Sequence, residues 1–323
     1  MSQQVKSSQR EIKVIDAHQH AFWHGRDAAG LVADLDEQGI DLAWILTWEI
    51  ALDDDVSLFH EALNPVNARP DGSHAGILLY DQIRARDQYP DRFILGYCPS
   101  PLLGNAPKLF EAAHRMYNVR ICGEWKYRML IDDPRCVDLF RKAGELKCPV
   151  VLHLDVPWLI EPKTGKPTYQ SIWYGGTVAN LERALKACPD TIFIGHAPGF
   201  WREISGDAES DPALYPLGPV TPGGRLYALF DENPNLYADL SAGSALFMLK
   251  RDPQLSKELI CRFADRILFA RDYYGHDLQD FLQSLDLPQD VQDKLYHLNA
   301  KKLVDPEEAL APPTHESVSL RIS

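Results

Sequence analysis

The sequence predicts an α/β fold: a (β/α)8 TIM barrel, distorted, with long loops after strands two, five and six. Three observations predict it. Eight short β-branched or apolar runs recur along the chain, amphipathic stretches separate most of them, and histidine or aspartate ends several of the runs. Near-continuous apolar runs are what strands buried on both faces look like, and their alternation with helices implies a parallel sheet closed on itself.

In order, the runs are Lys13–His20, Asp41–Trp48, Arg92–Cys98, Val119–Lys126, Pro149–Leu154, Thr191–His196, Asn235–Leu240 and Arg266–Asp272. Helical pattern lies over Asn105–Tyr117, Pro134–Lys147, Thr177–Ala187, Gly223–Phe230 and Pro253–Ala264. In Pro134–Lys147, residues Cys136, Leu139, Phe140, Ala143 and Leu146 share one face, and proline takes the first helical position, where its missing N–H costs nothing. An open doubly wound sheet is the competing architecture, weakened because no G-x-G-x-x-G follows the first strand. Three connections, Glu49 to Asp91, Asp155 to Gly176 and Ala197 to Pro222, are too long for turns and follow strand C-termini, the face on which barrels build their sites. The expected organisation is an N-terminal tail over 1–12, a barrel over 13–305 and a loosely attached tail over 306–323.

Composition narrows the function classes. With 323 residues, 45% of them hydrophobic and 24% charged, the chain is ordinary globular material rather than disordered or fibrous. The balance of 33 basic against 46 acidic residues, a net charge of −13, disfavours nucleic acid and anionic membrane surfaces as partners. The first fourteen residues hold no apolar stretch of the export type, and no apolar run approaches the ~18 residues of a membrane span. Six cysteines without a C-x-x-C pair read as reduced, buried thiols. The expectation is a soluble cytoplasmic protein.

The first strand ends Asp16-Ala17-His18-Gln19-His20. Simple alternation sends His18 and His20 to one side, a natural half-site for Zn2+ or a similar ion, and gives Asp16 the same parity. Strand five stops on His153, strand six on His196, and strand eight delivers Asp272. Alone, each is more often a satisfied core histidine or a turn aspartate; all five at strand C-termini surround one opening.

On these residues, from Val14-Ile15-Asp16-Ala17-His18-Gln19-His20 to the closing Leu298-Asn299-Ala300-Lys301-Lys302-Leu303, the chain resembles the amidohydrolase superfamily. The branch is amidohydrolase-2, which comprises metal-dependent hydrolases and decarboxylases. The resemblance implies a distorted (β/α)8 barrel in which His18, His20 and His153 are metal ligands. His196 would bind a second metal or polarise the substrate, and Asp272 would bind metal and shuttle a proton as general base and acid. Strand eight departs from the pattern of many relatives, reading Ala270-Arg271-Asp272-Tyr273-Tyr274 where they have a glycine-serine-aspartate-x-proline turn. On strand four, Glu124 resembles the carboxylate that bridges two metals in several branches, while Lys126, of the same parity, could contact an anionic substrate or pair with Glu124. The implied cofactor is a divalent metal, Zn2+ first and Mn2+ second, one or two ions per chain. A divalent ion brings the pKa of bound water to ~7 and so provides hydroxide near neutral pH.

Aromatic residues on the long loops suggest a small-molecule substrate that is cyclic or aromatic: Trp48, Trp158, Tyr169, Trp173, Tyr174, Phe200, Trp201, Tyr273 and Tyr274. Arg128 and Arg202 could neutralise an anionic group on it. His24 could enter the same pocket. Asp155, Asp16, Asp239 and Ser241 are candidates to orient the imidazoles. The first functional expectation is a metal-dependent hydrolase of a small cyclic ester, lactone or amide. The alternative is a metal-dependent non-oxidative decarboxylase, a lyase, acting on a carboxylated aromatic or unsaturated acid. A reading from another class is a non-catalytic binding barrel. Relatives often pair through loops and helices beside the barrel, so a homodimer is implied by resemblance alone.

Overall fold

The computed structural model describes residues 11–51, 60–161, 163–211 and 213–312. The terminal stretches 1–10 and 313–323, which hold most of the two expected tails, lie outside the described residues. All eight expected runs are strands of one barrel: β1 (Ile15–Gln19), β2 (Leu42–Ile45), β5 (Phe93–Leu95), β6 (Cys122–Trp125), β7 (Val150–His153), β10 (Phe193–His196), β11 (Leu236–Asp239) and β12 (Ile267–Leu268). They pair in parallel as a three-stranded sheet, β1-β2-β5, and a five-stranded sheet, β12-β11-β10-β7-β6. Among the described residues one bridge, Gly96 to Ile121, joins the two sheets between β5 and β6. The remaining short strands β3 (Trp48–Glu49) with β4 (Gly76–Ile77), and β8 (Trp158–Ile160) with β9 (Pro167–Tyr169), form two antiparallel ladders in the loops.

Two apolar layers hold the barrel. Inside it, Ile15, Ala17, Leu42, Trp44, Leu46, Ile94, Ile121, Val151, Ile194, Tyr237, Leu268 and Ala270 form one buried cluster. The opposite strand faces pack against the surrounding helices in a larger one. The five helices expected from pattern are present as α3 (Ala106–Tyr117), α4 (Pro134–Glu145), α5 (Val178–Ala187), α7 (Arg225–Glu232) and α9 (Pro253–Arg262). Their caps are local: the Asp133 side chain accepts from Arg135 N ahead of α4, Thr177 and Asn180 form a capping box on α5, and Asp252 accepts from Leu255 N on α9.

Three further helices carry no clear amphipathic signal. α1 (Ala28–Glu37) buries Asp34 among its apolar residues, and α2 (Leu79–Gln88) buries Asp81 and Gln82. α8 (Ala242–Lys250) is apolar over most of its length. Because α2 lies within it, the connection after the second strand is shorter than expected. The other two long connections hold the β8–β9 hairpin and the short helix α6 (Pro198–Trp201). No helix among the described residues is long and apolar enough to cross a membrane.

The first residues beyond 305 are ordered against the barrel rather than loose. Residues Pro306–Leu310 form a helix, capped by the Asp305 side chain, with Ala309 buried in the barrel's interior cluster. Asn118, in the left-handed conformation at φ 59°, ends α3 and donates its side-chain NH2 to the carbonyls of Glu308, Ala309 and Ala311 at 2.9–3.0 Å. Asn118→Ala removes those bonds and puts alanine at positive φ. The substitution should cost about 2 kcal/mol and expose residues 306–312 to proteolysis. Chemical denaturation that moves by less than about 0.5 kcal/mol would show that this anchor does not hold the segment.

Candidate metal centre

The strands that carry the most chemistry are the two with irregular register. The β1–β2 pairing shifts between Asp16 and Gln19, and the β6–β7 pairing shifts between Cys122 and Trp125. Such irregularities re-aim side chains next to functional sites. Here they turn His18 and His20, and then Glu124, into the barrel mouth, where they meet His153, His196 and Asp272. His18 and His196 are fully buried, His20 and Glu124 nearly so, and the Asp272 side chain retains 13% exposure.

Hydrogen bonds fix which nitrogen each imidazole presents. His18 Nδ1 donates to Asp239 Oδ2 at 3.0 Å, and His20 Nδ1 donates to the Leu46 carbonyl at 2.8 Å. Both rings therefore aim Nε2 into the centre. Ser241 Oγ donates to Asp239 Oδ1 at 2.5 Å and accepts from His196 Nδ1 at 2.8 Å, so His196 also presents Nε2. His153 differs. Its Nδ1 lies 2.7 Å from Glu124 Oε1 and its Nε2 lies 3.0 Å from Asp155 Oδ2, so both nitrogens are engaged by carboxylates.

The central atoms converge with few hydrogen bonds to hold them. His18 Nε2 and Asp272 Oδ1 are buried with no hydrogen-bond partner. His20 Nε2 lies 3.3 Å from Asp272 Oδ1 and 3.6 Å from Glu124 Oε2; His18 Nε2 lies 4.0 Å from Asp272 Oδ1. Ligands about 2.1 Å from one ion are at most about 4.2 Å apart, so these separations suit a shared cation. Two overlapping groups could hold it, His18 with His20 and Asp272, and His18 with Glu124 and His196.

Charge follows the same logic. Burial alone would push His18 down, but the Asp272 and Asp239 carboxylates lift it to about 9. Against burial, His18 and His20 hold Asp272 below the usual carboxylate range, and Lys126, His153 and His196 do the same for Glu124. Burial lowers His196, while His153 is raised, against burial and Lys126, by Asp155 and Glu124. The pocket thus concentrates negative charge that a metal ion would neutralise.

Of the expected substrate contacts, Lys126 stands at the mouth, its Nζ 3.9 Å from the Trp48 ring centre and 5.6 Å from that of Tyr174. Tyr273 is exposed there, edge-on to His24 at 5.0 Å, and Trp23 packs between His20, His24 and Trp48. Arg128 donates to the Ser171 carbonyl. Trp158 lies exposed on the β8–β9 hairpin, and the Trp173 indole donates to the Tyr169 hydroxyl at 2.7 Å.

Arg202 does not act as expected at the opening. It is buried, and its guanidinium donates to the carbonyls of Ala208 and Asp211, fastening the loop after β10. Phe200 and Trp201 are also core residues, the Trp201 indole donating to the Asp239 carbonyl at 3.0 Å. Asp16 orients no imidazole side chain; the register shift turns it away, onto Arg271. Tyr215, which nothing in its Pro/Gly-rich surroundings singles out, packs against Phe247 with ring centres 5.9 Å apart, and burial first, then the Asp155 and Asp272 carboxylates, raise its hydroxyl.

Comparison with known proteins agrees with this architecture. The family described as amidohydrolase matches residues 15–305. No curated protein sequence matches the chain. Among solved structures, an uncharacterised TIM-barrel protein from Bordetella bronchiseptica superimposes with TM-score 0.59 at 16% identity, covering 91% of this chain and 99% of its own. The 5-carboxyvanillate decarboxylase of Sphingomonas paucimobilis gives TM-score 0.54 at 14% identity, covering 91% and 99%. The 5-carboxyvanillate decarboxylase of Novosphingobium aromaticivorans, complexed with manganese and 4-hydroxy-3-methoxy-5-nitrobenzoic acid, gives 0.53 at 17% identity, covering 87% and 81%.

Asp239 supports His18 directly and His196 through Ser241. Asp239→Asn should therefore weaken metal binding by about 10–100-fold while leaving the fold intact. Competition against a chelator measures this, and an unchanged affinity would remove Asp239 from the support of the site.

Proposed function

We propose, on the premise that this chain belongs to the amidohydrolase family over residues 15–305, that it is a metal-dependent non-oxidative decarboxylase of a carboxylated aromatic acid. The observation that carries the reading is that His18 belongs to both candidate metal groups while its Nδ1 is committed to Asp239. One remaining lone pair serves one ion, so the cluster favours a single metal, taken by His18, His20 and Asp272. Glu124 and His196 stand beside it, and the engaged nitrogens of His153 argue for a supporting rather than a ligating role. Manganese and zinc both suit this donor set of imidazole and carboxylate. Decarboxylases of carboxylated aromatic acids share the fold, one of them with manganese, and this inclines the choice of chemistry.

A bound divalent ion would supply positive charge to draw and orient the anionic oxygens of the substrate. Lys126 adds a cation at the mouth, held against Trp48 and Tyr174, where an anionic ring meets charge and aromatic surface together. Trp23, Trp48, Tyr174 and Tyr273 keep water from that ring. Loss of CO2 breaks the bond from the ring carbon to the carboxylate; the carbon keeps the electron pair and takes one proton. That proton comes from the substrate's hydroxyl or from solvent: Asp272, an ionised carboxylate with an unpaired oxygen at the centre, is the residue we assign to take it up there and deliver it to the ring carbon, ending ionised as it began.

Hydrolysis of a cyclic ester, lactone or amide is the second reading. It is favoured by Glu124, whose two oxygens meet three imidazoles, as a carboxylate between two ions would. Manganese- or zinc-loaded protein, offered carboxylated phenols alongside lactones and esters, separates the two. The expected result is CO2 release from a carboxylated aromatic acid, reduced by ~10²-fold or more in Asp272→Asn. Acid released from a lactone or ester with no CO2 from any aromatic acid would overturn the decarboxylase reading.

A further inference from the structure

Among the described residues no strand ladder joins β1 to β12, just as none joins β5 to β6, so one of the barrel's two open seams lies between its first and last strands. The candidate metal group straddles that seam, with His18 and His20 on one side and Asp272 on the other. Two backbone bonds cross it, Ala17 N to Phe269 O at 3.0 Å and Asp272 N to His18 O at 2.9 Å. Asp272 itself sits at φ 48°, a left-handed conformation that aspartate tolerates at a cost. Something else must hold the two ligand sets in register.

We propose that Arg271 is the positioning residue that does so. It is buried and follows β12, next to Asp272 in the chain. Its Nε donates to Asp16 Oδ2 at 2.7 Å and its backbone N donates to Asp16 Oδ1 at 3.0 Å, so one carboxylate of the first strand grips both parts of one residue of the last. Nη1 donates to the Gly275 carbonyl at 3.0 Å, and Nη2 lies 2.9 Å from Asp34 Oδ2 on α1. Asp16 in turn accepts from the backbone N of His18 and from Gln19 Nε2, and that same amide reaches the Tyr273 carbonyl at 2.7 Å. Asp34 also accepts from Gly275 N and from Arg26.

The backbone around both ligand sets is thus pinned to one guanidinium. Its planar fork can serve Asp16, Asp34 and Gly275 together, whereas an ammonium would serve them only in part. The functional consequence rests on the metal reading of the cluster; the mechanical one does not.

The test uses the full chain with Arg271→Lys, Arg271→Gln and Asp34→Asn. Asp34→Asn loosens the strap while leaving the Asp16 pair in place, and so remains informative if Arg271→Gln fails to fold. In metal-free protein, hydrogen exchange at the amides of residues 271–275 should rise at least tenfold in Arg271→Lys and Asp34→Asn, with little change in β7 or β10. Affinity for Mn2+ should fall by about tenfold or more, with an altered manganese resonance spectrum and a near-normal denaturation midpoint in Asp34→Asn. Unchanged exchange at 271–275 in the folded variants would overturn the proposal, as would wild-type metal affinity and spectrum in all of them. If the wild type binds no metal, the metal reading fails, and exchange in the metal-free protein alone decides for or against the strap.

Discussion

Everything at the mouth of this barrel depends on ligand-type atoms, imidazole nitrogens and carboxylate oxygens, brought together in one buried space. His18 Nε2 and Asp272 Oδ1 are buried without a partner, and His20 Nε2, His196 Nε2 and Glu124 Oε2 converge on the same space. Burying such a group unsatisfied is costly, and a cation is the simplest species that satisfies all of it at once. The support is arranged to keep the lone pairs inward. Asp239, the Leu46 carbonyl and Ser241 each occupy the outer nitrogen of one imidazole.

The rest of the architecture supports that convergence. The barrel delivers the groups from strands one, four, five, six and eight to one end, with Asp239 from strand seven behind them. Two register shifts do the final aiming, one at His18 and one at Glu124. The seam between the first and last strands, which the ligands bridge, has few backbone bonds, and buried ion pairs of Arg271 with Asp16 and Asp34 span it. Above the cluster, Lys126 lies among Trp48 and Tyr174, so the approach offers aromatic surface beside positive charge.

The strands were legible because parallel strands covered on both faces are apolar along their whole length, and each of the eight runs became one. The ligands were legible because they end those runs. Helices α1, α2 and α8 were not, since buried Asp34, Asp81 and Gln82 interrupt the apolar stripe of the first two and α8 lacks a polar face. Strict alternation placed Asp16 with His18, and the register shift reversed that; a shift is set by pairing with a neighbour and leaves no mark in the strand's own residues. Arg202 looked like an anion contact because it follows a strand end, yet the loop beyond it needed a donor for its carbonyls. Tyr215 gave no signal, because what brings it near Asp272 is the path of the loop. The choice between losing CO2 and adding water is least legible of all, since both chemistries use the same donor set.

The account turns on one ion shared across the seam. The most direct measurement is elemental analysis of metal per chain, after loading with manganese or zinc and removal of the excess. One equivalent, lost on His18→Ala, is the result the account predicts. Two equivalents would make Glu124 a bridge and contradict the single-ion site, and none would leave the converging acceptors without the cation that explains them.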